Sequence, residues 1–162
     1  MTIVTTSKDL DALTIVVVAE FAAEADRVWQ LWADPRKLER WWGPPEWPAT
    51  FTRHDFVAGG ESRYHMTGPD GEQPGGYWRI CEIDPQTRFV VEDGFTDDSG
   101  NPVQDDPVVM EMTLHAQPAG TRMTLTSTFA SAEQLDAMIS MGMEEGLAGA
   151  LGQIDAVLAE VA

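Results

Sequence analysis

The chain has 162 residues, 43% of them apolar, with 27 acidic against 10 basic side chains and a formal net charge of −17. That length suffices for one domain with a proper core, and so negative a surface repels nucleic acid and anionic membranes. A single cysteine, Cys81, excludes an internal disulfide and a cysteine-rich metal site, and a small core or strand position is expected for it.

In chain order, Met1 to Leu10 lacks the basic-then-apolar form of a signal peptide, and no stretch is long enough to cross a bilayer. A cytoplasmic location is the resulting expectation. Asp11 to Phe21 is rich in β-branched residues and predicts a first strand, with Ile15, Val17, Ala19 and Phe21 on one face. Glu24 to Ala33 changes to helical spacing, burying Val28, Leu31 and Trp32. Asp34-Pro35 opens a second short helix, with aspartate as cap and proline at the first helical position. There Leu38 and Trp41 point inward and Arg36, Lys37, Glu39 and Arg40 face water. Gly43-Pro44-Pro45 ends it.

From Ala49 a period of two runs for about eighty residues. It predicts strands over Thr50–Val57, Glu61–Thr67, Tyr77–Ile83, Arg88–Phe95, Val108–His115 and Thr121–Phe129. Gly59-Gly60, Gly68-Pro69-Asp70-Gly71, Asp84-Pro85-Gln86 and Gln117-Pro118-Ala119-Gly120 supply the turns, and Asp97 to Pro107 a polar loop. Ser131 to Ala162 then reads as one long helix, opened by a capping box of Ser131 and Gln134. Its apolar stripe is Leu135, Ile139, Met143, Leu147, Ala150, Ile154, Val157, Leu158 and Val161. Gly142, Gly146 and Gly149 run beside it, with Gly152 further round. Interior glycines weaken a helix, so they imply either a close backbone approach or space left open.

The order is strand, two short helices, six strands, long helix. An antiparallel sheet with one apolar face needs a cover, and only the last helix is long enough. The expected class is α+β, a curved six- to seven-stranded antiparallel sheet around a long C-terminal helix, in a single domain over residues 1–162.

Residues 28–44, VWQLWADPRKLERWWGP, resemble the motif V-W-x-x-W-x-D-P-x-x-L-x-x-W-W-G-P of bacterial domains named for homology to the activator of a heat-shock chaperone's ATPase. These are members of the START, polyketide-cyclase and birch-pollen-allergen-like (SRPBCC) superfamily. Val57-Ala58-Gly59-Gly60, Gly68-Pro69-Asp70-Gly71, Gly76 to Pro85 and Gly146 to Leu158 resemble further family segments, so the likeness runs from about residue 12 to 160. It implies a helix-grip fold with a deep apolar cavity between sheet and helix, its mouth near the short helices and hairpin loops. Superfamily members bind lipids, sterols, polyketides and plant hormones, and some are cyclases or dehydratases. Fold alone does not choose among these.

Six tryptophans cluster largely between 29 and 47. Trp32 and Trp41 suit stapling the short helices to the sheet, whereas Trp42 and Trp47 flank a proline–glycine loop and suit a pocket rim. Met66, Met110, Met112 and Met138, with Met123, Met141 and Met143, are either adaptable cavity lining or core filler. Alternation places Asp93 with Phe89, Val91 and Phe95 on the inner face, unless a bulge turns it outward. A buried carboxylate needs a partner, and Arg79 or Arg53 could supply one. With Tyr64, such a set could orient the polar end of a ligand or act as acid and base. His54, His65 and His115 stand singly, with no metal-binding spacing, and no nucleophile elbow, phosphate loop or dinucleotide motif occurs.

The expected function is binding of a small hydrophobic or amphipathic molecule, a lipid, polyketide or aromatic compound. The expected binding residues are Trp42, Trp47, Arg53, Tyr64, Met66, Trp78, Asp93, Phe95, Met110, Met112, Met138 and Gly142. No cofactor, metal, nucleic acid or membrane insertion is expected, and the chain would be a monomer or homodimer. The alternatives are a cyclase- or hydrolase-like enzyme using Asp93, Arg53 or Tyr64, and a chaperone-interaction module.

Overall fold

A computed structural model describes residues 3–103 and 106–159. Val161 and Ala162 of the expected helix, and Gln104 and Asp105 of the polar loop, lie outside the described residues. Eight strands form one sheet: β1 Ile3–Asp9, β2 Thr14–Phe21, β3 Ala49–His54, β4 Glu61–Met66, β5 Gly75–Asp84, β6 Arg88–Thr96, β7 Val108–Gln117 and β8 Gly120–Thr128. Their order is β1-β2-β8-β7-β6-β5-β4-β3, and every neighbouring pair is antiparallel. The α+β sheet with its two short helices and C-terminal helical cover is thus as expected.

The additional strand is β1, which pairs with β2 through a turn in which the Asp9 carboxylate accepts from the backbone N–H groups of Asp11 and Ala12. That turn shortens the expected first strand, which starts at Thr14. On β2, Ile15, Val17, Ala19 and Phe21 are buried on one face, as the alternation requires. Val108, Met110, Met112 and Leu114 of β7, with Met123 and Leu125 of β8, continue that apolar face.

Helix α1, Ala25–Ala33, buries Val28, Trp29, Leu31 and Trp32 against the sheet. Its last carbonyls have no helical partners, and each is met differently. Gln30 O accepts from the Asp34 N–H, Leu31 O from the Trp41 indole at 3.0 Å, and Trp32 O from His54 Nε2 at 2.8 Å. His54 Nδ1 in turn faces the buried Ser62 hydroxyl at 2.7 Å, so the ring bridges α1 and β4, and burial lowers its pKa. Helix α2, Pro35–Leu38, starts at Asp34, whose carboxylate accepts from the Arg36 N–H. Arg36 and Glu39 are not idle surface charges. They grip the Phe51 peptide, Arg36 donating to its carbonyl and Glu39 accepting from its N–H, and so occupy the open edge at β3.

The C-terminal helical stretch is interrupted twice, giving α3 Ala132–Ser140, α4 Met143–Leu151 and α5 Ile154–Ala159. The capping pair holds: the Gln134 N–H donates to Ser131 Oγ, while Gln134 Oε1 accepts from the Ala130 N–H. The first interruption falls at Gly142, whose φ of +87° is left-handed and suits glycine alone. At the second, Gln153 Nε2 donates to the Gly43 carbonyl at 2.6 Å, tying the helix to the loop after Trp42. Leu135, Ala150, Leu151, Ile154 and Val157 are buried, so the apolar stripe survives both breaks.

Cys81 lies in strand β5, one of the two positions expected of it, and is exposed. The β5–β6 register shifts between Ile80 and Glu82, which makes Cys81 the extra residue of a bulge. No helix among the described residues is long and apolar enough to cross a membrane.

Candidate functional site

Between the apolar face of the sheet and the α3–α4 junction lies a cavity of about 280 Å³. The glycine row accounts for both of its possible meanings. Gly142 and Gly146 line the cavity, while a Cβ on Gly149 would touch Pro45 at 3.5 Å, so that part of the row lets the Pro44-Pro45 loop close down. Of the expected residues, Trp42, Tyr64, Met66, Asp93, Phe95, Met110, Met138 and Gly142 line the cavity together.

Four do not. Trp47 covers Gly68, where a Cβ would come within 2.6 Å of its ring. Arg53 points to the opposite face of the sheet, held by Asp55 at 2.6 Å and by Glu61, because a register shift between Phe51 and Arg53 breaks the alternation there. It lines an open polar groove with Arg63 and Asp97 instead. Trp78 is fully buried behind the cavity wall, and Met112 lies in the core beyond it. Ser127, Met141, Met143 and Gly146 join the lining, which Pro44, Gly94, Val108, Leu125 and Leu147 complete. The first four of these carry signals readable in the sequence, as an inward polar residue, two methionines and a member of the glycine row.

Asp93 faces inward, in register with Trp78 on one side and Val108 on the other, and no bulge intervenes. Its partner is not an arginine. Arg79 is bound to Glu92 at 3.1 Å on the outer face. Tyr64 Oη donates to Asp93 Oδ1 at 3.1 Å. Burial pushes the Asp93 carboxyl up to about 7, and the Tyr64 hydroxyl and nearby Trp78 indole offset this only in part. The same burial, together with the charge of Asp93, raises the Tyr64 phenol well above its ordinary value. Trp78 Nε1 stands close to the carboxyl without a well-formed hydrogen bond. It and Trp42 Nε1 are buried donors with no protein acceptor.

A residue without side chain holds this pair in place. Gly76 is the cross-strand partner of Tyr64, and a Cβ there would sit 2.4 Å from Tyr64 Cζ and 2.5 Å from its hydroxyl. The phenol therefore lies flat over Gly76, and Tyr77 covers Gly94 in the same way on the other face. Gly76 gives no signal without the strand register. Gly76→Ala should cost about 1–3 kcal/mol through overpacking. Gly146→Ala, whose methyl would meet only Pro44 Cγ at 3.9 Å, should instead stabilise by about 0.5–1 kcal/mol as a helix-interior replacement. Urea unfolding of the two variants measures both, and a harmless Gly76→Ala would contradict the tight seat of Tyr64.

The remaining features are bland for chemistry. Among the described residues no group of three or more His, Cys, Asp or Glu side chains could hold a metal ion. Five methionines, Met66, Met110, Met138, Met141 and Met143, give the cavity a wall that adapts its shape. The arrangement is an apolar chamber with one proton-holding pair at its polar end.

Over residues 22–159 the sequence matches the family described as Activator of Hsp90 ATPase homolog 1-like protein. Among solved structures, the chain is similar to a Mycobacterium smegmatis protein at 47% identity and a TM-score of 0.88, covering 96% of this chain and 98% of that one. A solution structure of an Arthrobacter aurescens protein matches at 48% identity and a TM-score of 0.92, over 98% of this chain and 92% of that one. An AHSA1 protein from Silicibacter pomeroyi, at 22% identity and a TM-score of 0.73 over 90% and 97% of the two chains, shares the fold. No curated protein matches the chain.

Proposed function

The chain belongs to the Activator of Hsp90 ATPase homolog 1-like family of the SRPBCC superfamily, and from that premise we propose that it binds a small, largely apolar molecule between its sheet and its C-terminal helix. The observation that carries this reading is the methionine-walled cavity with a single polar end at Tyr64 and Asp93. Its size limits the ligand. A cavity of about 150 Å³ holds benzene, so 280 Å³ suits one or two fused rings and not a long acyl chain.

Calorimetric titration with naphthylmethanol tests the reading. A compound of this size binds with a Kd on the order of ten to a hundred micromolar. Met110→Trp, which fills the cavity, should abolish the heat of binding with the circular dichroism spectrum retained. Binding unaffected by that filling would place the ligand elsewhere. A retained apolar compound released on denaturation in native mass spectrometry would support the same conclusion directly.

Asp93 favours a second reading, acid–base catalysis on an uncharged aromatic or polyketide-like substrate, because a carboxyl poised near neutrality can both give and take a proton. In that case Asp93→Asn abolishes turnover and leaves the affinity for an uncharged substrate intact. Loss of both together would count against catalysis.

A further inference from the structure

Among the described residues Asp93 is the one charged side chain lining the cavity, and no lysine, arginine or histidine lines it. The arginines that could have neutralised it, Arg53 and Arg79, are committed to Asp55, Glu61 and Glu92 on the other face. The carboxyl nonetheless has donors suited to its ionised form. Tyr64 Oη is bonded to it at 3.1 Å, and the indole of its cross-strand partner Trp78 is a fully buried donor without an acceptor. What the site lacks is a counter-charge.

We propose that the cavity selects compact aromatic or alicyclic amines, bound with the ammonium group against the Asp93 carboxylate and the ring against the methionine wall. This rests on the reading of the cavity as a binding site. The carboxyl is partly withdrawn from water on folding, so an incoming ammonium relieves a penalty present in the free protein. Trp42 and Tyr64 line the same cavity as Asp93. Outside, Asp106 and Glu133 border the adjoining groove, and the net charge of −17 draws cations toward it. A carboxylate ligand would meet Asp93 with no cation to hold it. An alcohol can hydrogen-bond there but leaves the charge unmatched.

Three probes of one shape separate these cases: naphthylmethylamine, naphthylmethanol and naphthoate, titrated calorimetrically at pH 8 into the wild type and Asp93→Asn. In the wild type the amine should bind about tenfold tighter than the alcohol, and naphthoate at least a hundredfold weaker than the amine. Asp93→Asn should remove that preference, bringing amine and alcohol within about twofold of each other. Equal binding of amine and alcohol by the wild type, or an amine preference that survives in Asp93→Asn, overturns the inference and leaves the cavity reading standing. Binding of none of the three overturns both.

Discussion

Asp93→Asn is expected to stabilise the protein by about 1–2 kcal/mol at pH 8 and to flatten its stability profile between pH 5 and 8. The folded carboxyl titrates at about 7 against an ordinary 3.8, so the folded state holds a proton that the unfolded chain releases. Stability from this group is therefore fully present below 3.8 and is lost as pH rises to about 7. Three units correspond to about 4 kcal/mol; the expected figure is smaller because the carboxyl is only partly buried by area. Asparagine keeps an acceptor for the Tyr64 hydroxyl and carries no charge at any pH. His54 acts with the opposite sign. Burial lowers its pKa, so the unfolded chain takes up a proton first as pH falls through 6.5, and stability declines on that side. The difference between variant and wild type isolates Asp93, since His54 is common to both. Urea unfolding at pH 5.5 and pH 8 gives that difference twice. It should grow with pH, and a constant difference would mean that the carboxyl is ionised throughout.

The cavity's chemistry was more legible in the sequence than its boundary. Asp93, Tyr64 and the methionines follow from strict alternation, because a strand with one buried face leaves no choice of side. Wherever alternation fails, so does the reading. One extra residue at Cys81 breaks the alternation of β5 and leaves the thiol exposed, and the shift after Phe51 sends Arg53 to the outer face. Neither bulge has a residue signature of its own. The C-terminal helix shows the converse case. Its glycines announce that something unusual occurs, but only the left-handed φ of Gly142 distinguishes a break from close packing. β1 escapes because its Thr, Ser, Lys and Asp residues bury little: residues 5–9 are exposed at a sheet edge, where the hydrogen bonds to β2 and not the hydrophobic pattern define the strand. The role of Arg36 and Glu39 at the β3 edge is likewise a long-range fact, invisible to helical periodicity.

The Trp-Trp-Gly-Pro segment makes the sharpest forecast about stability, because its two adjacent indoles differ in what they hold. Trp32 is fully buried and touches Trp41 at 4.6 Å, Phe89 at 5.0 Å, Trp42 at 5.8 Å and Trp78 at 6.0 Å between ring centroids. Trp32→Ala should cost about 3–5 kcal/mol, enough to leave a domain of ordinary stability partly unfolded at 37 °C. Trp41→Phe preserves most of the ring volume but strands the Leu31 carbonyl at the end of α1, which should cost about 2 kcal/mol. Trp42→Phe removes an indole N–H that has no acceptor, beside a cavity, so its cost should stay near 1 kcal/mol or below. Thermal and urea unfolding of the three variants gives the order Trp32→Ala, Trp41→Phe, Trp42→Phe, from most to least damaging. A Trp42→Phe variant weaker than Trp41→Phe would mean that the Trp42 N–H is bound in solution, with the Tyr64 hydroxyl the nearest acceptor to suspect. In the expected order, the first tryptophan of the pair after α2 serves as the cap of α1, and the second is left free to meet a ligand.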